Sequence, residues 1–383
     1  MSLALKPLEA RDPKESYRAA TQLELFFDLV SVIAIAAVTE SLHHAISEGH
    51  GLEMLANFAF LFVAIWWAWM NYTWFASAFD NDDALYRVLT IVIMAGALTF
   101  AAGASHIVKT LDFGYGLAGW IIMRFGMIFL WLRAAAGDPR YRTAALRYAA
   151  GIFIAQIGWT VLYFTAAPGS AMFYAGGIAV FLIEFAVPVV AEWEKPTPWH
   201  RHHVIERYGL LNIIVLGEVL LSISLMIGKL YDGHFDMALV TTAVSGLVIV
   251  FVVWWLYFIE EEHLASTALY RAFIWGYGHI FIFASGALLA AGLGAYMDVL
   301  THHSETTAHV AAAYINIPAA IYLFTLWFIR DRFTDRGWRS HVLLAGAALF
   351  VAMAFAGPPP WVTALAAIGL LVARSPDRES TER

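Results

Sequence analysis

Twelve long apolar runs constrain the fold of this chain more than any other feature of its sequence. Each run is close to the roughly 20 residues that an α-helix needs to cross the hydrocarbon core of a bilayer. In chain order the predicted spans are 22–44, 54–76, 86–108, 113–132, 145–166, 172–191, 204–228, 237–259, 269–292, 309–329, 341–356 and 360–374. This pattern predicts an all-α fold, a polytopic membrane helix bundle of about 12 transmembrane helices.

The composition agrees with a membrane protein and excludes several other classes. Of the 383 residues, 61% are hydrophobic and 14% are charged, and the mean hydropathy is +0.67. These values lie outside the range of soluble domains, so the lipid bilayer is the first expected partner. A net charge of -7 argues against nucleic acid as a partner. The absence of cysteine excludes disulfides, thiolate metal sites and thiol nucleophiles.

The last two apolar runs are shorter than the others and lie close together. Residues 341–356 and 360–374 are separated only by Gly357, Pro358 and Pro359. Proline and glycine interrupt helices because proline lacks an N–H and glycine adopts turn conformations freely. We therefore expect either a tight helical hairpin or a partly re-entrant pair here.

The basic residues predict the orientation, because cytoplasmic loops retain an excess of Lys and Arg. If both termini are cytoplasmic, every basic residue lies on that side except Lys109, Lys229 and Arg124. The chain then divides into five regions: a cytoplasmic N-terminal segment 1–21, a first six-helix repeat 22–192, a cytoplasmic linker 193–203, a second six-helix repeat 204–374 and a cytoplasmic tail 375–383.

Two pairs of short motifs predict that the two repeats arose by duplication. The tetrapeptide Ala-Leu-Tyr-Arg occurs at residues 84–87 and again at 268–271, where it opens the third and ninth spans. Trp-Trp pairs lie late in the second and eighth spans, at residues 66–67 and 254–255. Six spans is an even number, so the two repeats are expected to run parallel, related by an axis along the membrane normal.

Ionisable residues at the start of the first and seventh spans are the first candidate site. Glu24 and Asp28 are four residues apart, so they share one face of a helix. His203, Glu206 and Arg207 likewise share a face at the start of span seven. If the duplication holds, these two faces meet near the cytoplasm, with Arg207 as the partner of Asp28 or Glu24. Such a group is either a gate or a structural latch.

These motifs carry a family resemblance. The run Glu-Leu-Phe-Phe-Asp-Leu at 24–29, the pattern His-x-x-Glu-Arg-x-Gly-Leu at 203–210 and the run Ile-Ile-Val-Leu-Gly-Glu at 213–218 resemble the bacterial low temperature requirement A family. The sequence departs from that pattern at Ser31 and Val219, neither of which is a charged position. The resemblance covers essentially the whole chain and implies a multi-pass protein of the bacterial inner (plasma) membrane.

Three more charges are expected deep inside the membrane. Glu218 is about fourteen residues into span seven, which at about 1.5 Å per residue places it near the midplane. Arg124 in span four is predicted to pair with Glu218 or with Glu184 in span six. An intramembrane carboxylate is a functional candidate by default because its burial is costly, so Glu218 is the predicted central coupling group and Glu184 is expected to be structural.

Other polar clusters have simpler interpretations. Most histidines are predicted in outer loops as solvated residues, although they could collect protons or hold a metal loosely; His279, in mid-helix, is expected to be a core histidine or a proton relay. The acidic clusters at 80–83 and 260–263 are expected to be solvated cytoplasmic loops rather than cation sites. The sequence has no ligand spacing typical of zinc enzymes and no nucleotide motif, so neither metal nor cofactor is predicted.

The leading functional hypothesis is a secondary transporter or permease that uses intramembrane carboxylates to couple proton or cation movement to an unidentified small solute. The candidate coupling and binding residues are Glu24, Asp28, Arg124, His203, Glu206, Arg207 and Glu218. Two alternatives remain: an intramembrane enzyme acting on a lipid or isoprenoid, with acid-base groups at the cytoplasmic interface, and a non-catalytic membrane scaffold or sensor.

Overall fold

The computed structural model describes residues 6–16, 18–231, 236–260, 264, 268–333 and 337–375. Within these residues the chain is helical, without a strand. The α-helices are α1 Gln22–Ser47, α2 Gly51–Phe79, α3 Ala84–Thr110, α4 Gly114–Gly137, α5 Arg142–Thr165, α6 Ala171–Glu192, α7 Arg201–Tyr231, α8 Met237–Phe258, α9 Leu269–Leu300, α10 Ala308–Ile329, α11 Val342–Ala356 and α12 Pro360–Arg374. Residues 261–263 of the second acidic cluster, His234, the side chain of Lys229 and tail residues 376–383 lie outside the described residues.

Eleven helices in the described part of the chain are long and apolar enough to cross a membrane. This confirms the predicted polytopic helical fold. The eleventh span is longer than the sequence indicated, because the 3-10 turn Gly337–His341 leads directly into α11 and gives a span of 20 residues. Helix α12 has only 15 residues, fewer than the roughly 20 that a full crossing requires.

The last two helices are joined by a tight turn, which both arrangements expected from the sequence require. Gly357 ends α11 in the left-handed conformation with φ +64°, which glycine adopts without steric cost. Pro360 then occupies the first turn of α12, where its missing N–H is not needed. Helices α11 and α12 pack against each other.

Contacts divide the chain into two compact units. Unit 1 consists of Met1–Val38 and Phe60–Arg207, and unit 2 consists of Thr39–Ala59 and Tyr208–Arg383. Helices α1, α2 and α7 each contribute residues to both units. These units are groups of contacting residues and are not the predicted repeats, so the duplication stays a prediction.

In unit 1 the helices α3, α4, α5 and α6 pack in succession, each against the next. Helices α3 and α4 approach each other closely at Gly96 and Gly119. A Cβ atom added to either glycine would lie 2.6 Å from the carbonyl oxygen of the other. Small residues at such positions allow helix backbones to approach closely inside a membrane, so these glycines fix the packing of α3 on α4.

In unit 2 the helix α9 packs along α10, and α10 packs on α11. A glycine again lies where α9 and α10 come close together: a Cβ atom on Gly292 would lie 2.2 Å from the carbonyl oxygen of Tyr314. Helix α8 packs against α12. In unit 2, as in unit 1, a glycine therefore allows two helices, here α9 and α10, to pack closely.

Large apolar side chains also point away from the protein. Phe26 on α1 is 54% exposed, Phe164 on α5 is 77% exposed and Phe355 on α11 is 80% exposed. A soluble protein would present such residues to water at a cost of about 25 cal/mol per Å². On helices of this length they are the expected surface towards lipid tails.

Candidate functional site

Glu24 belongs to a helix cap at the start of α1. The Thr21 N–H donates to Oε2 of Glu24 over 2.7 Å, and the Glu24 N–H donates to Oγ1 of Thr21 over 3.3 Å. This reciprocal pair is a capping box, which satisfies backbone donors that lack partners at the start of a helix. One carboxylate oxygen of Glu24 therefore has a structural task, and the other is available to ionic partners.

Four ionisable side chains, Glu24, Asp28, His203 and Arg207, meet inside unit 1; we call them the α1/α7 cluster. Arg207 Nη1 lies 3.3 Å from Glu24 Oε1, and Arg207 Nη2 lies 2.5 Å from Asp28 Oδ1. His203 Nε2 lies 2.9 Å from Glu24 Oε1. All four residues are completely buried, with 0% exposure. The i, i+4 spacing predicted on each helix thus brings two acids of α1 against a base and a cation of α7.

Helix α2 completes the surroundings of Asp28. Trp69 donates its indole N–H to Asp28 Oδ1 over 2.6 Å, and Arg207 Nη2 also donates to Thr73 Oγ1 over 3.4 Å. Among the described residues, Oδ2 of Asp28 has no hydrogen-bond partner. A buried carboxylate oxygen without a donor is costly as an anion and becomes a donor itself once it binds a proton.

The charges of the α1/α7 cluster do not balance without a proton. Two carboxylates and one guanidinium sum to one negative charge when the His203 imidazole is neutral, and to zero when one further proton is bound. An uncompensated charge in a buried site is strongly destabilising. Binding of a single proton would therefore bring the formal charge of the cluster to zero.

Arg18 and Asp80 extend this network at its edge. Arg18 Nη2 lies 3.8 Å from Glu24 Oε1 and 3.7 Å from Asp80 Oδ2, and it donates to the backbone oxygen of Ala76 over 2.8 Å. Burial, together with the negative charge of Glu24, raises the pKa of Asp80 to about 6. The additional cation and acid leave the charge balance unchanged when both are ionised, and Asp80 adds a second proton-binding group.

The N-terminal segment, which we define as residues 6–16 and 18–20, covers the end of unit 1 at which the α1/α7 cluster lies. The Lys6 N–H donates to Asp83 Oδ2 over 3.0 Å, and the Ala10 N–H donates to Asp138 Oδ2 over 3.1 Å. Carboxylates at the ends of two helices thus hold the backbone of a segment that the sequence indicated only as polar and cytoplasmic.

Close backbone packing and a second set of bonds fix the same segment. Leu8 is completely buried, and a Cβ atom on Gly137 would lie 2.6 Å from the Leu8 backbone. The Ala20 N–H donates to Oε2 of Glu206 over 3.2 Å. Glu206, which the sequence placed with His203 and Arg207, is exposed and serves this contact rather than joining the buried cluster.

Two loop acids predicted to be solvated are buried, so that prediction is wrong for Asp80 and Asp83. Burial alone would raise the pKa of Asp83, but the hydrogen bonds from the Arg133 guanidinium and from backbone N–H groups lower it to about 2. The Arg140 guanidinium likewise lowers the pKa of Asp138 to about 2. Both anchors of the N-terminal segment therefore remain ionised at neutral pH.

A second buried ion pair joins α4 and α6. Arg124 Nη2 lies 2.9 Å from Glu184 Oε1, and both residues are at most 2% exposed. The indole N–H groups of Trp67 and Trp159 donate to the same carboxylate over 2.8 Å and 3.4 Å. Of the two partners predicted for Arg124, the structure selects Glu184, and the carboxylate is held by three donors.

Glu218 has a different environment. It is half-buried on α7, and within the described residues no donor or cation contacts its carboxylate; only its backbone oxygen is bonded, by Ser222 Oγ over 3.2 Å. The structure thus does not give Glu218 the arginine partner that the sequence suggested. Its predicted coupling role stays a prediction.

His279 is a hydrogen-bonded core histidine, one of the two interpretations of the sequence. It is completely buried, with Nδ1 2.7 Å from the Trp275 backbone oxygen and Nε2 3.0 Å from the Tyr257 hydroxyl.

Across the residues that the structure describes, no three His, Asp or Glu side chains converge as a metal-binding group.

A sequence profile of the family described as bacterial low temperature requirement A protein (LtrA) matches residues 19–374. The chain belongs to this family. The LtrA match contains every residue of the α1/α7 cluster together with Arg124 and Glu184, and it extends through α12.

A protein of Rhizobium meliloti (strain 1021), named "Uncharacterized protein RA0937", is similar over most of its length. It is 24% identical over 332 residues, which cover 80% of this chain and 76% of the relative. LtrA membership and the apolar helices together make this chain a multi-pass membrane protein of a bacterial family.

Three residues in contact with the α1/α7 cluster of this LtrA protein were not predicted from the sequence. Arg18 and Asp80 lie outside the helices in polar segments, where a charged residue gives no signal of burial. Trp69 is one of many aromatic residues in the apolar runs, so its residue type alone gives no signal of a contact with Asp28. One signal in the sequence could have indicated that Trp69 takes part: Trp69 and Thr73 are four residues apart and so share one face of α2.

Proposed function

We propose that this LtrA protein is a proton-coupled secondary transporter and that the α1/α7 cluster binds the coupling proton. One observation carries the proposal. Two carboxylates, one guanidinium and one imidazole are completely buried together, and their summed charge changes between minus one and zero with one proton.

A carrier needs a site whose energy depends on whether the coupling ion is bound. Moving a net charge through a membrane protein is costly, whereas a neutral group of paired charges is tolerated. Binding of a proton at His203 or at the unpartnered oxygen of Asp28 would neutralise the α1/α7 cluster. The protonated and unprotonated forms would then favour different arrangements of α1 against α7.

The cover over the cluster fits an occluded state of such a carrier. The N-terminal segment lies over this end of unit 1, and Arg18 ties it to both Glu24 and Asp80. Access from that side requires the segment to move. The basic residues favour the cytoplasm as that side, with both termini there, and the predicted parallel repeats fit known carrier architectures.

The other two functions predicted from the sequence have less support. An intramembrane enzyme would need Glu24 and His203 within reach of a lipid, but both side chains are completely buried. A scaffold would require only that the ion pairs hold helices together. It would tolerate a neutral substitution at Asp28 that keeps the fold.

The test is proton movement in proteoliposomes that hold a pH-sensitive dye. Purified protein is exposed to inward gradients of candidate solutes, and we expect at least one solute to drive proton entry. Asp28→Asn should abolish this flux. The matched control is Glu192→Gln: Glu192 is also buried in unit 1, but its carboxylate accepts bonds from Tyr148 and Thr197 rather than from a cation.

Full flux in Asp28→Asn, with both variants folded as judged by gel filtration and tryptophan fluorescence, would remove the cluster from the mechanism. Absence of solute-driven proton entry in the wild-type protein across the panel would contradict the transport proposal itself.

A further inference from the structure

A second cluster of ionisable groups lies in unit 2, where α1 ends. His43 Nε2 lies 2.8 Å from Asp298 Oδ2 on α9, and His43 Nδ1 lies 3.5 Å from Glu40 Oε2 on its own helix. The other oxygen of Glu40 lies 2.9 Å from His44 Nε2. Glu40 therefore stands between two imidazoles, and His43 stands between two carboxylates.

The geometry of His43 fits the doubly protonated ring. A neutral imidazole has one N–H donor and one acceptor nitrogen, whereas the imidazolium has two donors. Both ring nitrogens of His43 face carboxylate oxygens, which accept and do not donate when ionised. One of these contacts would lose its donor if the ring were neutral.

The surrounding residues hold the pair in place. Ser47 Oγ donates to the same Asp298 oxygen over 2.7 Å. On the other side, a Cβ atom on Gly294 would lie 2.9 Å from His43 Nε2, so a larger residue there would displace the ring. The backbone oxygen of Ser47 accepts from the Glu305 N–H over 2.7 Å, which ties the end of α1 to the loop after α9.

Exposure falls along the cluster from its outer to its inner members. The side chains of Glu40 and His44 are 61% and 58% exposed, whereas those of Asp298 and His43 are 20% and 13% exposed. Glu218 of α7 is near enough to Glu40 for their negative charges to repel each other. Protons from water thus meet the exposed pair first and the sheltered pair second.

We propose that His43 and Asp298 form a proton-binding site at the opposite end of α1 from Glu24, and that Glu40 and His44 deliver protons to it from water. The proton binds a ring nitrogen of His43, and the charge that results is compensated by the two carboxylates. The site deepens the proposed function, on which its use in transport rests: it supplies the coupling proton near the C-terminal end of α1.

The charge state of His43 can be read by nitrogen NMR of the histidine rings in the full-length protein in lipid nanodiscs, with His43→Gln to assign the signal. At neutral pH we expect two protonated ring nitrogens. Asp298→Asn should convert the ring to the neutral form, and Gly294→Ala should do the same by displacing it.

His50, in the short segment between α1 and α2, provides a matched control. His50 faces one carboxylate, Glu53, over 3.4 Å, and both side chains are more than half exposed. Glu53→Gln should leave the His43 signal unchanged. A neutral His43 ring in the wild-type protein, or an imidazolium signal that persists in Asp298→Asn, would overturn the proposal.

Flux measurements separate this inference from the proposed function. If protons use this route, His43→Gln should lose most of the proton-coupled flux while His50→Gln keeps it. Flux that depends on Asp28 but not on His43 overturns the inference and leaves the proposed function standing. An imidazolium at His43 in a protein that moves no protons with any solute supports the binding site and contradicts transport.

Discussion

Arg207 Nη2 lies 2.5 Å from Asp28 Oδ1, in a part of unit 1 where neither side chain is exposed. Because the same guanidinium also faces Glu24, one cation serves two carboxylates. The consequence is asymmetry: loss of the cation leaves two buried anions, whereas loss of one anion leaves a balanced pair.

The first prediction uses that asymmetry. Arg207→Met should destabilise the protein by about 3–5 kcal/mol, the usual cost of breaking a buried ion pair from one side. Asp28→Asn should cost less than half as much, since Glu24 still balances Arg207. Thermal unfolding in nanodiscs, followed by tryptophan fluorescence, measures both. Equal losses in the two variants would show that Arg207 does not serve both acids.

Arg124 and Glu184 give a second prediction. Arg124→Met and Glu184→Met should each be strongly destabilising, because each leaves the opposite charge buried. The double variant should be more stable than either single one, since it leaves no charge in this part of α4 and α6. Additive losses in the same unfolding assay would mean that the two residues do not interact.

Asp80 makes stability depend on pH. Its pKa is raised from 3.8 to about 6, so the folded protein binds this proton more tightly than the unfolded chain. The contribution of Asp80 is therefore fully present below pH 3.8 and is lost as the pH rises through about 6. Asp80→Asn should gain stability relative to the wild-type protein as the pH is raised across this window.

Asp83 supplies the opposite control in the same loop. Its pKa is lowered to about 2, so its contribution is present at neutral pH and is lost as the pH falls from 3.8 through about 2. Asp83→Asn should therefore be destabilised at neutral pH, and the deficit should shrink in acid. No relative gain for Asp80→Asn as the pH is raised would contradict the assignment of Asp80, and a relative gain for Asp83→Asn would contradict that of Asp83.

The N-terminal segment should be released when Asp138 is removed. Asp138→Ala deletes the acceptor of the Ala10 N–H, at a cost of about 1–3 kcal/mol for a donor left without its partner. Trypsin cleavage after Arg11 and Lys14 should then be about tenfold faster or more, because cleavage follows the population of the open form. The control Glu9→Gln alters an exposed acid of the same segment. Unchanged cleavage in Asp138→Ala would mean that other contacts hold the segment.

The sequence predicted the helical architecture because its information lies in long apolar runs. It also predicted, on the condition that the chain is duplicated, that Arg207 pairs with Asp28 or Glu24, since a spacing of four sets the faces of helices and buried charges require partners. Helical periodicity could not decide whether Glu184 or Glu218 is the partner of Arg124. It gives the depth of a residue in the membrane and the helix face on which it lies, but not which helix packs against that face.

The parts that escaped prediction lie outside the regular helices. Nothing in the local sequence indicates that Leu8 is buried or that Asp138 binds the backbone of Ala10, because these contacts join residues more than a hundred positions apart. Asp80 was likewise expected to be exposed to water. A loop acid is solvated by default, and only the tertiary position of Arg18 and the N-terminal segment buries it.

His203 and His202 provide the most direct test of the central claim, because they are neighbours on α7 and differ in place: His203 is completely buried in the α1/α7 cluster and His202 is exposed. The measurement is solute-driven proton entry into dye-loaded proteoliposomes. If the cluster binds the coupling proton, His203→Gln loses the flux and His202→Gln retains it. Equal flux in the two folded variants, together with full flux in Asp28→Asn, would contradict the account.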